Sequence, residues 1–97
     1  RFDVDALLRQ ARAWPGLEGM DLAREVSCRQ MYRWSGGRWA LGRGYAEHAE
    51  DSGRPHVVAI DYGSKRNIFR NLADAGAEVT VLPATATFDE VMAHTPD

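Results

Sequence analysis

The sequence predicts an α/β protein: an amino-terminal helix and hinge, a β-hairpin, then a β-α-β-α run that opens a parallel sheet. Three observations carry this reading. Within His56-Val-Val-Ala-Ile-Asp61, the residues Val57 to Ile60 form an apolar run without polar alternation. That is the pattern of a strand covered on both faces. A glycine turn at Gly63 and a helical pattern follow, and a second apolar strand, Glu78-Val-Thr-Val-Leu82, comes after the helix. Strand, helix and strand in this order form a right-handed crossover unit with parallel strands.

Taken in order, residues 3 to 14 form the first helix. Val4, Leu7, Leu8 and Ala11 keep helical spacing, Asp3 and Asp5 suit a helix start, and Pro15-Gly16 ends it. Pro15 to Gly19 reads as a glycine-bracketed segment, with Gly16, Leu17 and Gly19 as candidate hinge residues; an ordinary loop is the plainer reading. A short helical turn is expected from Met20 to Arg24. Met31-Tyr-Arg-Trp-Ser-Gly-Gly-Arg-Trp-Ala-Leu41 reads as a hairpin, with Tyr32, Trp34 and Trp39 in its strands and Gly36-Gly37 at its turn. Gly42 to Pro55 shows neither period and reads as a linker.

After the apolar strand, Ser64 is the expected cap of a helix that carries Ile68, Phe69, Leu72 and Ala73 on one face and ends at Gly76. Pro83 stops the second strand. Thr87-Phe-Asp-Glu90 has the form of a capping box and opens a short helix through Val91 and Met92. His94-Thr-Pro-Asp97 leads toward a third strand. The first residue is Arg1 and the last is Asp97, so a piece of a longer protein is expected.

Composition limits the functions. The chain has 97 residues and a net charge of −2, which gives no basic footprint for nucleic acid. Arginines interleaved with aromatics in the hairpin resemble a single-strand platform, but packing is the stronger reading for so small a ribbon. No apolar run reaches membrane-spanning length, so no membrane is expected as a partner. The single cysteine, Cys28, forbids an intrachain disulfide and favours a cytoplasmic home. It lacks a neighbouring base or helix start and reads as a small semi-buried residue. His48, His56 and His94 are scattered, so no metal site is expected. Gly42-Arg-Gly44 lacks the third glycine of a dinucleotide loop, and Gly63-Ser-Lys65 lacks the upstream glycine of a phosphate loop.

The chemistry is therefore sought at the carboxyl end of the first apolar strand, where α/β proteins place ligands. Asp61, Gly63, Lys65 and Asn67 are the candidates. Gly63 permits close backbone approach, and Lys65 is the one lysine beside eleven arginines. The plainer reading has Asp61, Ser64 and Asn67 satisfying backbone groups at a strand end and helix start.

Four ordered stretches resemble a known family. Leu17-Glu-Gly-Met-Asp-Leu-Ala-Arg-Glu-Val26, the tryptophan hairpin, Val58-Ala-Ile-Asp-Tyr-Gly-Ser-Lys-Arg-Asn-Ile68 and Leu82-Pro-Ala-Thr-Ala-Thr87 with Thr95-Pro-Asp97 look like the small, glutamine-hydrolysing subunit of carbamoyl-phosphate synthase. The resemblance implies three regions: residues 1–26, the end of an amino-terminal domain and its hinge; residues 27–55, the hairpin and linker; residues 56–97, the first β-α-β-α portion of a class I glutamine amidotransferase domain, which is incomplete here. It further implies glutamine hydrolysis by a cysteine, histidine and glutamate. The ammonia would pass to a large synthetase subunit for carbamoyl phosphate, arginine and pyrimidine synthesis. None of the three catalytic positions matches a residue of this chain. Cys28 does not lie on the family's nucleophile elbow, so no catalytic residue is carried over and the chain alone is expected to be inactive. No cofactor is expected here; ATP and magnesium belong to the large subunit. Asp61, Gly63, Lys65 and Asn67 would support the glutamine pocket or the ammonia path.

Two other readings compete. The tryptophan hairpin and hinge suit a non-enzymatic interaction module, since tryptophan is enriched at binding hot spots. A receiver-like or nucleotide-binding fragment with Asp61 as phosphoacceptor or ribose contact stands further off, because no acidic pair or glycine fingerprint accompanies it.

Overall fold

Two parallel strands joined by a helix set the architecture. A computed structural model describes residues 1–49 and 53–97; Glu50, Asp51 and Ser52, within the expected linker, lie outside the described residues. Strand β4 (His56–Asp61) pairs in parallel with β5 (Glu78–Pro83), with Val57 opposite Val79 and Ala59 opposite Val81. Helix α3 (Arg66–Asp74) connects them. Strand β1 (Tyr32–Trp34) adds antiparallel to the other edge of β5, so the sheet order is β1-β5-β4. A separate ribbon pairs β2 (Gly36–Ala40) with β3 (Gly44–Glu47). Helix α1 (Val4–Ala13), α2 (Leu22–Val26) and α4 (Phe88–Ala93) complete the elements among the described residues.

The core follows from this register. Val79 and Val81 face Phe69 of α3, with Tyr32, Trp34, Ala59 and Leu72 packed around them. The Trp34 and Phe69 rings lie 5.6 Å apart at a tilt of 51°, within the favourable range for an aromatic pair. On the opposite face of β5, Thr80 and Leu82 are buried too, and Thr80 Oγ1 shares a 2.7 Å hydrogen bond with His56 Nε2. Two-faced burial therefore belongs to the central strand β5. This corrects the expectation for Val57 to Ile60, which are only half-buried because β4 is an edge of the sheet.

The hairpin is displaced by one strand. Tyr32–Trp34 does not fold back on Trp39; it joins β5, and the ribbon forms between β2 and β3, where Trp39 sits opposite Tyr45. Gly42 and Gly44, at φ of +80° and +74°, make the turn expected at Gly36-Gly37. Gly37 is instead buried, at a point where a Cβ would overlap Asp74 Oδ1 and lie 2.7 Å from His48 Nε2. The expected linker thus begins with a strand.

Local chemistry explains the helices. Asp3 caps α1 by accepting from Ala6 N–H at 2.9 Å, and Asp21 caps α2 by accepting from Arg24 N–H at 3.2 Å. The second cap moves that helix two residues beyond the expected Met20 to Arg24. Ser64 is not the cap of α3: Lys65 occupies that position with no side-chain bond. The helix ends as expected, with Gly76 at φ +98° and paired bonds from Gly76 N–H to Ala73 O and from Ala77 N–H to Leu72 O. Thr87 and Glu90 form the expected capping box of α4.

Burial is uneven. The radius of gyration is 18.9 Å, against about 13 Å for a compact chain of this length. Helix α1 buries no residue, and its apolar side chains Val4, Leu7 and Leu8 are exposed. At the other end, Asp97 N–H donates to His56 O at 3.0 Å, and His56 N–H donates to Asp97 Oδ2 at 2.8 Å, along the outer edge of β4.

Candidate functional site

The carboxyl ends of β4 and β5 meet the segment that follows α2. Asp61, the last residue of β4, is buried. Its Oδ1 accepts from Gly63 N–H and Ser64 N–H, both at 2.9 Å, and its Oδ2 accepts from Cys28 N–H at 2.8 Å. Burial pushes this carboxyl up, but the backbone donors of Ser64, Cys28 and Gly63 together outweigh it and hold Asp61 below the usual carboxylate range. Next to it, Ser27 Oγ accepts from Ala84 N–H at 2.7 Å and donates to Cys28 O at 3.1 Å. Gly63 has φ +92°, and a Cβ there would stand 2.6 Å from Val26 Cγ2. The turn therefore needs glycine twice over, for its dihedral and for its neighbour.

The sequence candidates separate. Asp61 and Gly63 meet in one hydrogen-bonded turn, as the plainer reading expected for Asp61. Lys65 is exposed at the start of α3. Asn67 is exposed as well, and its Oδ1 accepts from Arg70 Nη1 at 2.9 Å. Gly16 and Gly19 have φ of +88° and +77°, with open space around each, and Met20 N–H closes a turn onto Leu17 O at 3.1 Å.

The electrostatics give this turn no nucleophile. Burial pushes the Cys28 thiol up, and the Asp61 charge beside it pushes it further, so the thiol stays protonated at neutral pH. Tyr32 is pushed up first by burial and then by Asp61. A carboxylate saturated by three backbone donors is itself a poor base. Beside the turn, a groove of about 360 Å³ is lined by Arg29, Met31, Leu82, Thr85, Glu90 and His94, among others. Among the described residues, no group of three or more His, Cys, Asp or Glu side chains is placed to hold a metal ion, and no helix is long and apolar enough to cross a membrane.

A second cluster escaped the sequence reading. Asp74, at the carboxyl end of α3, bonds His48 Nε2 through Oδ1 at 2.8 Å, and its Oδ2 accepts from Arg38 N–H at 3.0 Å and Arg38 Nε–H at 2.8 Å. The His48 contact and the two Arg38 donors hold its carboxyl at about 2. The signal was present in the sequence: an aspartate in the last turn of a helix opposes the helix dipole unless other groups compensate it. Arg70 of the same helix lies 4.3 Å from the centre of the Tyr45 ring and 5.6 Å from that of Trp34.

Comparison with known proteins covers every residue of the chain. It is 61% identical over 97 residues to a protein of Zymomonas mobilis named carbamoyl phosphate synthase small chain, matching 100% of this chain and 26% of the relative. Proteins of the same name from Ruegeria pomeroyi and Brucella anthropi are 58% and 52% identical over 97 residues, with 24% and 23% of their lengths matched. The chain thus spans about a quarter of the length of the curated relatives it matches. No family model matches it.

Proposed function

We propose that this chain, similar along its whole length to carbamoyl phosphate synthase small chains, is scaffold from a glutamine-hydrolysing subunit whose cysteine, histidine and glutamate lie in other parts of the polypeptide. The end-to-end match carries this reading. The protonated state of Cys28 supports it, since the one thiol here is unsuited to attack an amide. In this reading the parent protein, with its large subunit in the cytoplasm, hydrolyses glutamine and delivers ammonia for carbamoyl phosphate, arginine and pyrimidine synthesis. ATP and magnesium serve the large subunit. In this reading the Asp61–Gly63 turn fixes the start of α3, and Asp61, Gly63 and the exposed Lys65 and Asn67 would support the glutamine pocket or the ammonia path.

The test uses the complete small chain bound to its large chain. Cys28→Ser leaves glutamine-dependent carbamoyl phosphate synthesis within about twofold of wild type, because a thiol held protonated is not the nucleophile. Loss of glutamine hydrolysis in that variant would overturn the reading.

A second reading keeps the tryptophan ribbon as a docking surface. Trp39 and Tyr45 pair across β2 and β3, and both are more than half exposed, which favours it. Trp34 takes no part, since it packs on Phe69 and its Nε1–H donates to Gly36 O at 2.7 Å. Trp39→Ala weakens capture of the large chain if the ribbon docks there, and unchanged capture removes the idea.

A further inference from the structure

Three contacts bind Val26–Cys28 to the carboxyl end of the parallel strands. Cys28 N–H donates to Asp61 Oδ2, bridging 33 residues of sequence. Ala84 N–H donates to Ser27 Oγ, bridging 57. Val26 Cγ2 fills the space that a Cβ on Gly63 would need. These anchors grip the end of both β4 and β5, so the segment lies across the sheet as a strap. Upstream, Gly16 and Gly19 have left-handed dihedrals and open surroundings, and Met20 N–H closes the turn between α1 and α2 onto Leu17 O. The glycine turn, helix α2 and the anchored strap thus follow one another along the chain.

We propose that Asp61 is a positioning residue: its carboxylate receives the Val26–Cys28 strap, so that the segment leading in from helix α2 sets the placement of the β4–α3 turn and of Lys65 at its end. The proposal rests on the reading of this turn as support for glutamine hydrolysis, and it adds the route by which the amino-terminal region acts on it. The geometry assigns each oxygen a task. Oδ1 organises the turn through Gly63 and Ser64, while Oδ2 holds the strap through Cys28. Asp61→Asn retains one acceptor oxygen for the turn and presents an amide N–H₂ to the Cys28 donor, so it releases the strap selectively. Ser27→Ala removes the second anchor without touching the turn. Ser27→Thr retains the hydroxyl.

The experiment uses the complete small chain in complex with its large chain and has two arms. In the first, amide hydrogen exchange is followed at Cys28 and at Val79 and Val81. Asp61→Asn speeds exchange at Cys28 about tenfold, the scale of one lost hydrogen bond to a charged group, and leaves the two core valines at wild-type rates. In the second, Asp61→Asn and Ser27→Ala each raise the KM for glutamine severalfold with kcat within about twofold. Synthesis from added ammonium chloride is unchanged, and Ser27→Thr behaves as wild type. Unchanged exchange at Cys28 overturns the strap. Faster exchange with unaltered glutamine KM overturns the positioning role. If the wild-type complex hydrolyses no glutamine, the functional reading falls, and with it the positioning role, while the exchange arm still decides whether the strap exists.

Discussion

Asp61 and Asp74 perform the same mechanical task in opposite surroundings. Each carboxylate joins its own element to a segment more than thirty residues away, Asp61 to the strap and Asp74 to the β2–β3 ribbon. Asp61 is buried and is met by three backbone N–H groups and by the Cys28 thiol. Asp74 lies near the surface and is met by His48 and by Arg38, which donates both its backbone N–H and a side chain that is 68% exposed. Backbone donors have fixed positions and little access to ions, whereas long surface side chains lose conformational entropy and are screened. The first junction should therefore be strong and indifferent to salt, and the second weaker and tunable.

The widest separation comes from Asp61→Ala. It strands the backbone donors of Cys28, Gly63 and Ser64 and lowers unfolding free energy by about 3 kcal/mol in urea melts of the small chain, with the loss unchanged in high salt. Gly37→Ala attacks the other junction by sterics. Its Cβ collides with the Asp74–His48 pair and costs about 1–3 kcal/mol, while Gly36→Ala, whose Cβ meets Trp34 at an ordinary 3.7 Å, serves as the mild control. Asp74→Asn is milder than Gly37→Ala, and its deficit against wild type shrinks as salt rises. Equal salt responses at the two aspartates would erase the distinction.

Acid offers a finer comparison. Both carboxyls are held below their ordinary range in the fold, so both contribute stability that is complete above the unfolded carboxylate value and is lost as pH falls. For Asp74 the loss runs from about 4 down to about 2. Tryptophan fluorescence during acid titration should show a flatter profile in Asp74→Asn across that window. Smallest of all is Thr95→Gly. Thr95 sits at φ +48°, an unfavourable dihedral for a β-branched residue, and relief of that strain, partly offset by glycine's greater freedom in the unfolded chain, adds about 0.5 kcal/mol in melts.

The elements that the sequence made legible are those specified by local chemistry. The acidic helix start at Asp3, the capping box at Thr87 and Glu90 and the glycine stop at Gly76 all act within a few residues, and each stands where the pattern put it. Pairing was harder to read. Tyr32–Trp34 is equally suited to a hairpin or to the edge of β5, and only the tertiary fit of Trp34 on Phe69 decides between them. Gly37 looked like turn chemistry because close packing and tight turning select the same residue. At the candidate site, Asp61 and Gly63 were visible from their place at a strand end. Ser27 and Cys28 were not, since a backbone N–H and a hydroxyl from a distant segment leave no periodic trace.

The outer edge of β4 carries a consequence of its own. Parallel pairing with β5 turns the peptide groups of His56, Val58 and Ile60 outward, and Asp97 already clasps the first of them through both its N–H and its carboxylate. An extended neighbour laid along Val58 and Ile60 inherits its alignment from that single clasp, much as a zip takes its registration from the first tooth. Freeing Asp97 would turn a guided seam into an indiscriminate one, open to any strand that drifts past.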